Sequence, residues 1–185
     1  MIKSFFRFWQ TIRNSIVRGR NAENGFQPKG RYKVEHWRAG VLLRTYEFPN
    51  DITNEGKNLI FEVMFHDGTQ IASTSWYIGL ISNTGYSALA PGDTMASHSG
   101  WTEFTTYSQA NRVSWGPGAA ASQQITNATP ATFDMTGSGT VKGLFIPSNN
   151  SKGGTSGKLW ATALFNADVP VVNGDQLKVT YTLNA

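Results

Sequence analysis

The chain has 185 residues, a formal charge of +4 and no cysteine, and only 15% of its residues are charged, against about 25% in an ordinary soluble domain. Without cysteine there is no disulfide scaffold, thiolate metal site or cysteine nucleophile, and the apolar content is too high for a disordered chain. The apolar runs fall far short of the ~20 residues that a membrane helix needs, and the length fits one compact domain plus an added segment.

The net charge hides an asymmetry. Residues 1–46 hold ten basic side chains against Glu23 and Glu35, a local +8, while the remaining residues sum to −4. Within this basic quarter, residues 2–18 read as an amphipathic helix. Ile2, Phe5, Phe6, Trp9, Ile12 and Ile16 recur at spacings of three and four and share one face. Lys3, Arg7 and Arg18 fall opposite, and Arg13 sits nearer the stripe. A secretory signal does not fit, because Arg7 and Arg13 interrupt the apolar stretch and no small-residue cleavage site follows. Residues 1–20 are therefore expected to form an arm, 21–30 a linker and 31–185 the body. The arm can dock on a neighbouring protein, pack on its own domain or lie in a membrane interface; a partner surface is the expected use. Six large apolar residues on one stripe argue against a phosphate-tracking, nucleic-acid-binding arm.

From residue 31 onward, short β-rich runs alternate with Gly, Pro, Asn and Ser. Arg31–Trp37 turns at Ala39-Gly40 into Val41–Phe48, a hairpin. Residues 54–66 are the single helix of the body, with Leu59, Ile60, Val63 and Met64 on one face and Asp67-Gly68 ending it. Strands follow at Ser75–Ile81, Arg112–Trp115, Gln123–Thr126, Ala131–Met135, Thr140–Ile146, Lys158–Phe165 and Gln176–Leu183. In the last, Leu177, Val179, Tyr181 and Leu183 alternate with Lys178, Thr180 and Thr182. The expected fold is mostly β, an antiparallel β-sandwich or jelly-roll-like body with one short helix behind the helical arm. The longest break runs from Ser82 to Ala110, and loops of that length tend to be functional or to cover an interface. Its Trp101, Phe104 and Tyr107 either offer a contact to a sugar or partner or fold back to close one end of the sandwich; folding back is the expected outcome.

No catalytic template fits. His36, His66 and His98 are widely separated, lack metal-ligand spacing and read as surface or edge residues. There is no nucleophile elbow of the G-x-S-x-G type. Gly153-Gly154-Thr155-Ser156-Gly157-Lys158 resembles a phosphate loop, but a strand follows rather than a helix, which makes it a hairpin turn. A glycosidase would need two carboxylates facing across a cleft; Asp93, Glu103 and Asp134 are the nearest acids, while Asp67 and Asp175 sit at turns. The expectation is a protein without catalysis, metal or cofactor.

From residue 53 onward the order of motifs is familiar. Thr53-Asn54-Glu55-Gly56-Lys57-Asn58 opens the helix, followed by Trp76-Tyr77-Ile78-Gly79-Leu80-Ile81, Gly100-Trp101-Thr102-Glu103, and Arg112 through Trp115. Gly139-Thr140-Val141-Lys142-Gly143-Leu144-Phe145-Ile146, Leu159 through Phe165, and Asn173-Gly174-Asp175 through Tyr181 complete the series. Taken in this order they resemble small virion structural proteins of tailed bacteriophages, the group described as head decoration or cement proteins. No single motif is diagnostic, and the arm lies outside the shared pattern. The resemblance implies a homo-oligomer, a trimer foremost, on the outer surface of a head assembled in the host cytoplasm. Its partners would be the major capsid protein and neighbouring copies of itself. The alternative from a different class is a receptor- or glycan-binding fibre component, which rests on the aromatic loop at 82–110.

Overall fold

The structure, a computed structural model, describes residues 26–185. The arm, with Ile2, Phe5, Phe6, Arg7, Trp9, Ile12, Arg13, Ile16 and Arg18, and the first half of the linker lie outside the described residues. The body is mostly β and consists of two antiparallel sheets and a single α-helix.

The first sheet is built on the hairpin read from the sequence. β1 (Lys29–Arg38) begins two residues before the expected start of the body, at Lys29, and returns as β2 (Val41–Pro49). Ala39 and Gly40, at φ 48° and 79°, make the turn, the two positive φ values that a twist-matched two-residue hairpin requires. β1 also pairs along its whole length with the last strand, β11 (Asp175–Asn184), so the beginning and end of the body lie side by side. The outer edge of β11 is covered in two stretches by β7 (Gln124–Thr126) and β8 (Ala131–Asp134). Alternation decides what faces inward. Tyr32 and Val34 of β1 and Leu177, Val179 and Tyr181 of β11 have no exposed surface.

The second sheet runs β3 (Asp51–Ile52), β10 (Leu159–Val171), β9 (Gly139–Pro147), β4 (Tyr77–Ser82), with β5 (Glu103–Phe104) and β6 (Val113–Ser114) both against β4. β9 and β10 are joined across the Gly153–Gly157 turn as a hairpin. β10 runs past the expected Phe165 to Val171, because residues opposite Lys142 bulge out between Leu164 and Val169 before pairing resumes. A bulge lets one strand bend without ending, and here it turns the buried Phe165 onto Tyr46 and Phe48 of the other sheet, at ring distances of 5.1 and 4.7 Å.

The sheets share one core. Its bridge is aromatic: the Trp160 indole N–H of β10 donates to the Tyr181 hydroxyl of β11 at 3.0 Å, and Trp115 packs on Tyr181 and donates to its carbonyl at 3.1 Å. Each buried ring adds about 150–250 Å² of covered surface, so these rings carry much of the cohesion between the layers.

The helix, α1 (Asn54–Phe65), leans on the second sheet by its first turn. Thr53 caps it, accepting from the Gly56 N–H at 3.0 Å while its hydroxyl donates to the Leu159 carbonyl at 2.5 Å. Glu55 accepts from the Leu159 N–H at 2.7 Å and from Lys158 at 3.1 Å. The far end is free of the body. Among α1 residues only Gly56 is buried, and of the four residues expected to face inward, Leu59, Ile60 and Val63 are half-buried while Met64 is 66% exposed.

Candidate functional site

The long break at 82–110 is a folded cover. It lies on the outer face of the second sheet, where Ile81, Phe145 and Leu159 form a second apolar cluster with Met95 and Trp101. Trp101 is 2% exposed, rests on Phe145 at 4.9 Å, stacks on His98 at 3.9 Å and donates its indole N–H to the Asp93 carboxylate at 2.9 Å. Asp93, itself buried, also accepts from the Ala90 N–H at 3.0 Å and so closes the turn that carries it. Phe104 and Tyr107 enter the main core, at 6% and 3% exposure. None of these three rings is offered to a ligand, because burial against sheet aromatics is the more favourable use of their apolar area. The aromatic feature behind the glycan-binding alternative is therefore internal.

Two buried polar clusters hold the loops in place. In the first, the side chains of Arg112 and Glu103 are 1% and 6% exposed. Arg112 donates to both Glu103 oxygens, at 3.0 and 2.8 Å, and to the carbonyls of Asn149 and Gly154, at 2.9 and 2.6 Å. Glu103 takes a further bond from the Gly153 N–H at 2.7 Å. Lys152, from the same β9–β10 loop, reaches the carbonyls of Tyr107 and Gln109 at 2.9 and 2.6 Å. A planar guanidinium can serve a carboxylate and two carbonyls at once, so one arginine ties three segments together.

The second cluster corrects a sequence expectation. His36 is not a surface or edge residue but 5% exposed on the inner face of β1. It donates from Nε2 to Asp175 at 2.8 Å, beside Arg38, whose Nε and Nη2 donate to the same carboxylate at 2.7 and 2.9 Å. Asp175 has no exposed surface and also accepts from the Val172 N–H at 3.0 Å. Hydrogen bonds from Arg38, helped by those from His36 and Val172, outweigh the cost of burial and hold its carboxyl well below the usual range. The other histidines stand apart. His66 donates to Glu62 on the exposed face of α1 at 2.7 Å, and His98 to the Trp101 carbonyl at 3.1 Å.

The acids considered for a paired-carboxylate site are each taken up separately. Asp93 serves Trp101, Glu103 serves Arg112, and Asp134 accepts from the amides of Gln109 and Gln176 at 2.7 and 2.6 Å. Among the described residues no three His, Asp or Glu side chains gather as a metal site, and no helix is long and apolar enough to cross a membrane.

An opening lies elsewhere, beside α1. A groove of about 1090 Å³ runs between the helix, the start of β1, β3 and the 89–91 turn, with Phe26, Ile52, Ile60, Phe61, Phe65 and Leu89 among its walls. Its helical wall is apolar and exposed: Phe61 is 61% and Phe65 80% exposed, and Phe26 is 72% exposed. No protein family and no curated protein matches the chain.

The groove was not foreseen from the sequence, although α1 signals it. Phe61 and Phe65 are one turn apart and lie beside, not within, the stripe read as inward-facing. A helix with apolar residues on two flanks needs a second neighbour.

Proposed function

We propose that the chain is a structural protein of a tailed-phage virion, a decoration or cement protein on the outside of the head that bridges neighbouring capsomers. The observation that carries this reading is apolar surface that the described residues leave uncovered at two separate places on a well-packed body. Val41, Leu42 and Leu43, near the β1–β2 turn, are 62%, 43% and 48% exposed, and Phe61, Met64 and Phe65 of α1 are 61%, 66% and 80% exposed. Isolated apolar residues on a surface need no explanation, but clusters mark interaction sites, and a protein packed into a shell buries them. The order of motifs from residue 53 onward supports the phage assignment. A non-catalytic role is supported by the use of Asp93, Glu103, Asp134 and Asp175 in fastening loops and turns. The major capsid protein and adjacent copies of the chain are the partners, with the basic arm as a further binding element whose contacts add through effective concentration.

The test is quantitative mass spectrometry of purified virions from the phage that encodes the chain. A copy number on the scale of the capsid protein is expected, and absence from particles overturns the reading. Deletion of residues 1–20 is expected to leave the body folded and to weaken attachment to heads lacking the protein; unchanged affinity overturns the role of the arm.

A further inference from the structure

The groove beside α1, at about 1090 Å³, matches the upper end of the range for small-ligand sites, about 300–1,000 Å³, and it is walled by exposed phenylalanines where the described chain begins. We infer that it is the seat of the same chain's N-terminal arm, with the stripe Phe5, Phe6, Trp9, Ile12 and Ile16 laid against Phe61 and Phe65.

Three observations converge on this occupant. The first is position: Phe26, in the linker, is itself a wall of the groove, so the arm is tethered beside its seat. From Ile16 to Phe26 the chain spans at most about 33–36 Å, ample for a reversal, and a helix over residues 2–16 would be about 22 Å long, close to the ~18 Å of α1. The second is chemistry, since an apolar stripe meets an apolar wall, the helix-in-groove mode of recognition. The third is charge. Residues 1–20 carry Lys3, Arg7, Arg13, Arg18 and Arg20 and no acid, whereas residues 51–67 carry Asp51, Glu55, Glu62 and Asp67 against Lys57 alone. Asp51 and Asp67 are exposed, one just before α1 and one just after it. A short tether gives the arm an effective concentration in the millimolar range, which favours the chain's own arm over that of a second copy in dilute solution. On a crowded shell the same stripe and seat are available between neighbours, but the inference holds without the virion reading and concerns the free protein.

The absence of cysteine makes the test direct. In the full-length chain, Trp9→Cys with Phe61→Cys places one thiol on the stripe and one on the wall, while Arg7→Cys with Phe61→Cys places the first on the opposite face. Under mild oxidation the Trp9 pair is expected to form an intrachain disulfide at least ten-fold faster than the Arg7 pair, at a rate independent of protein concentration. Equal rates for the two pairs would show proximity from the tether alone and overturn the inference. So would no disulfide, or one forming only between chains in proportion to concentration. As a check free of cysteine, Phe61→Asp in the otherwise unaltered chain is expected to speed tryptic cleavage after Arg7 and Arg13 about ten-fold; an unchanged rate overturns the seat.

Discussion

Asp175 shows how a single residue can be structural in two ways. Its backbone closes the turn after β10, and its carboxylate, with no exposed surface, accepts from Arg38, His36 and the Val172 N–H. Half of this was legible. The Gly174-Asp175 turn is plain in the sequence, but the partners come from a strand far away in the chain. A clue was present nonetheless: the inner face of β1 reads Tyr32, Val34, His36, Arg38, an apolar row ending in two bases, and such a row calls for an acid at the same end of its neighbour. Because the folded-state carboxyl lies below its unfolded value, the stability it contributes is fully present above about pH 4 and drains away as pH falls further. Asp175→Asn is expected to cost about 3 kcal/mol at neutral pH by removing the buried carboxylate that Arg38 and His36 share. The difference between variant and native chain should shrink below pH 4, as urea melts at a series of pH values would show. Arg112→Ala removes the guanidinium paired with Glu103 and strands a buried carboxylate, with an expected loss of about 3–5 kcal/mol measured in the same way at pH 7.

At the scale of elements, α1 is the instructive case. Its existence, its Thr53 cap and its end near Asp67 follow from local signals, but its docking does not. The contact depends on Gly56, where a Cβ would stand 2.3 Å from the Trp160 carbonyl oxygen. That oxygen belongs to the backbone of a central strand and has little room to retreat. Gly56→Ala therefore gains about 1 kcal/mol of helix propensity and loses about 1–3 kcal/mol to overpacking. The expected net result is destabilisation, with faster amide exchange confined to residues 53–66. Unchanged exchange there would mean that the helix docks differently. The short strands β3 and β5 were invisible in the sequence for a related reason. Two residues carry no period, and they are strands only because β10 and β4 offer them an edge.

For the molecule as a whole, the difference between the two sheets lies in the pattern of their strands. β1 and β11 alternate, because one of their faces meets the core and the other meets solvent or short polar residues. β4 and β9 instead contain unbroken apolar runs, Ile78 through Ile81 and Leu144 through Ile146, as expected of strands covered on both faces. Over β4 and β9 the outer cover is the 82–110 loop, while α1 leans on β10. Two substitutions separate the layers. Trp160→Ala removes the indole that joins the sheets through Tyr181 and packs on Trp76; it is expected to cost about 3–5 kcal/mol and to raise exchange in both sheets together. Phe145→Ala lies on the other face, under Trp101 and Arg112, and is expected to cost a similar amount while releasing the 82–110 loop first. Exchange that rises uniformly in both variants would mean that cover and core unfold as one unit.

The sequence by itself determined the β-rich class, the hairpin at Ala39-Gly40, the single helix and the inward residues of the alternating strands. These follow from periodicity, turn chemistry and caps, which act over a few neighbouring residues. The tertiary structure alone decided which distant charges meet, that the loop's aromatics serve the interior, and that an open groove remains beside α1. Each of these depends on the pairing of segments far apart in the chain, and no local propensity encodes which edge a strand will find or which face a loop will cover.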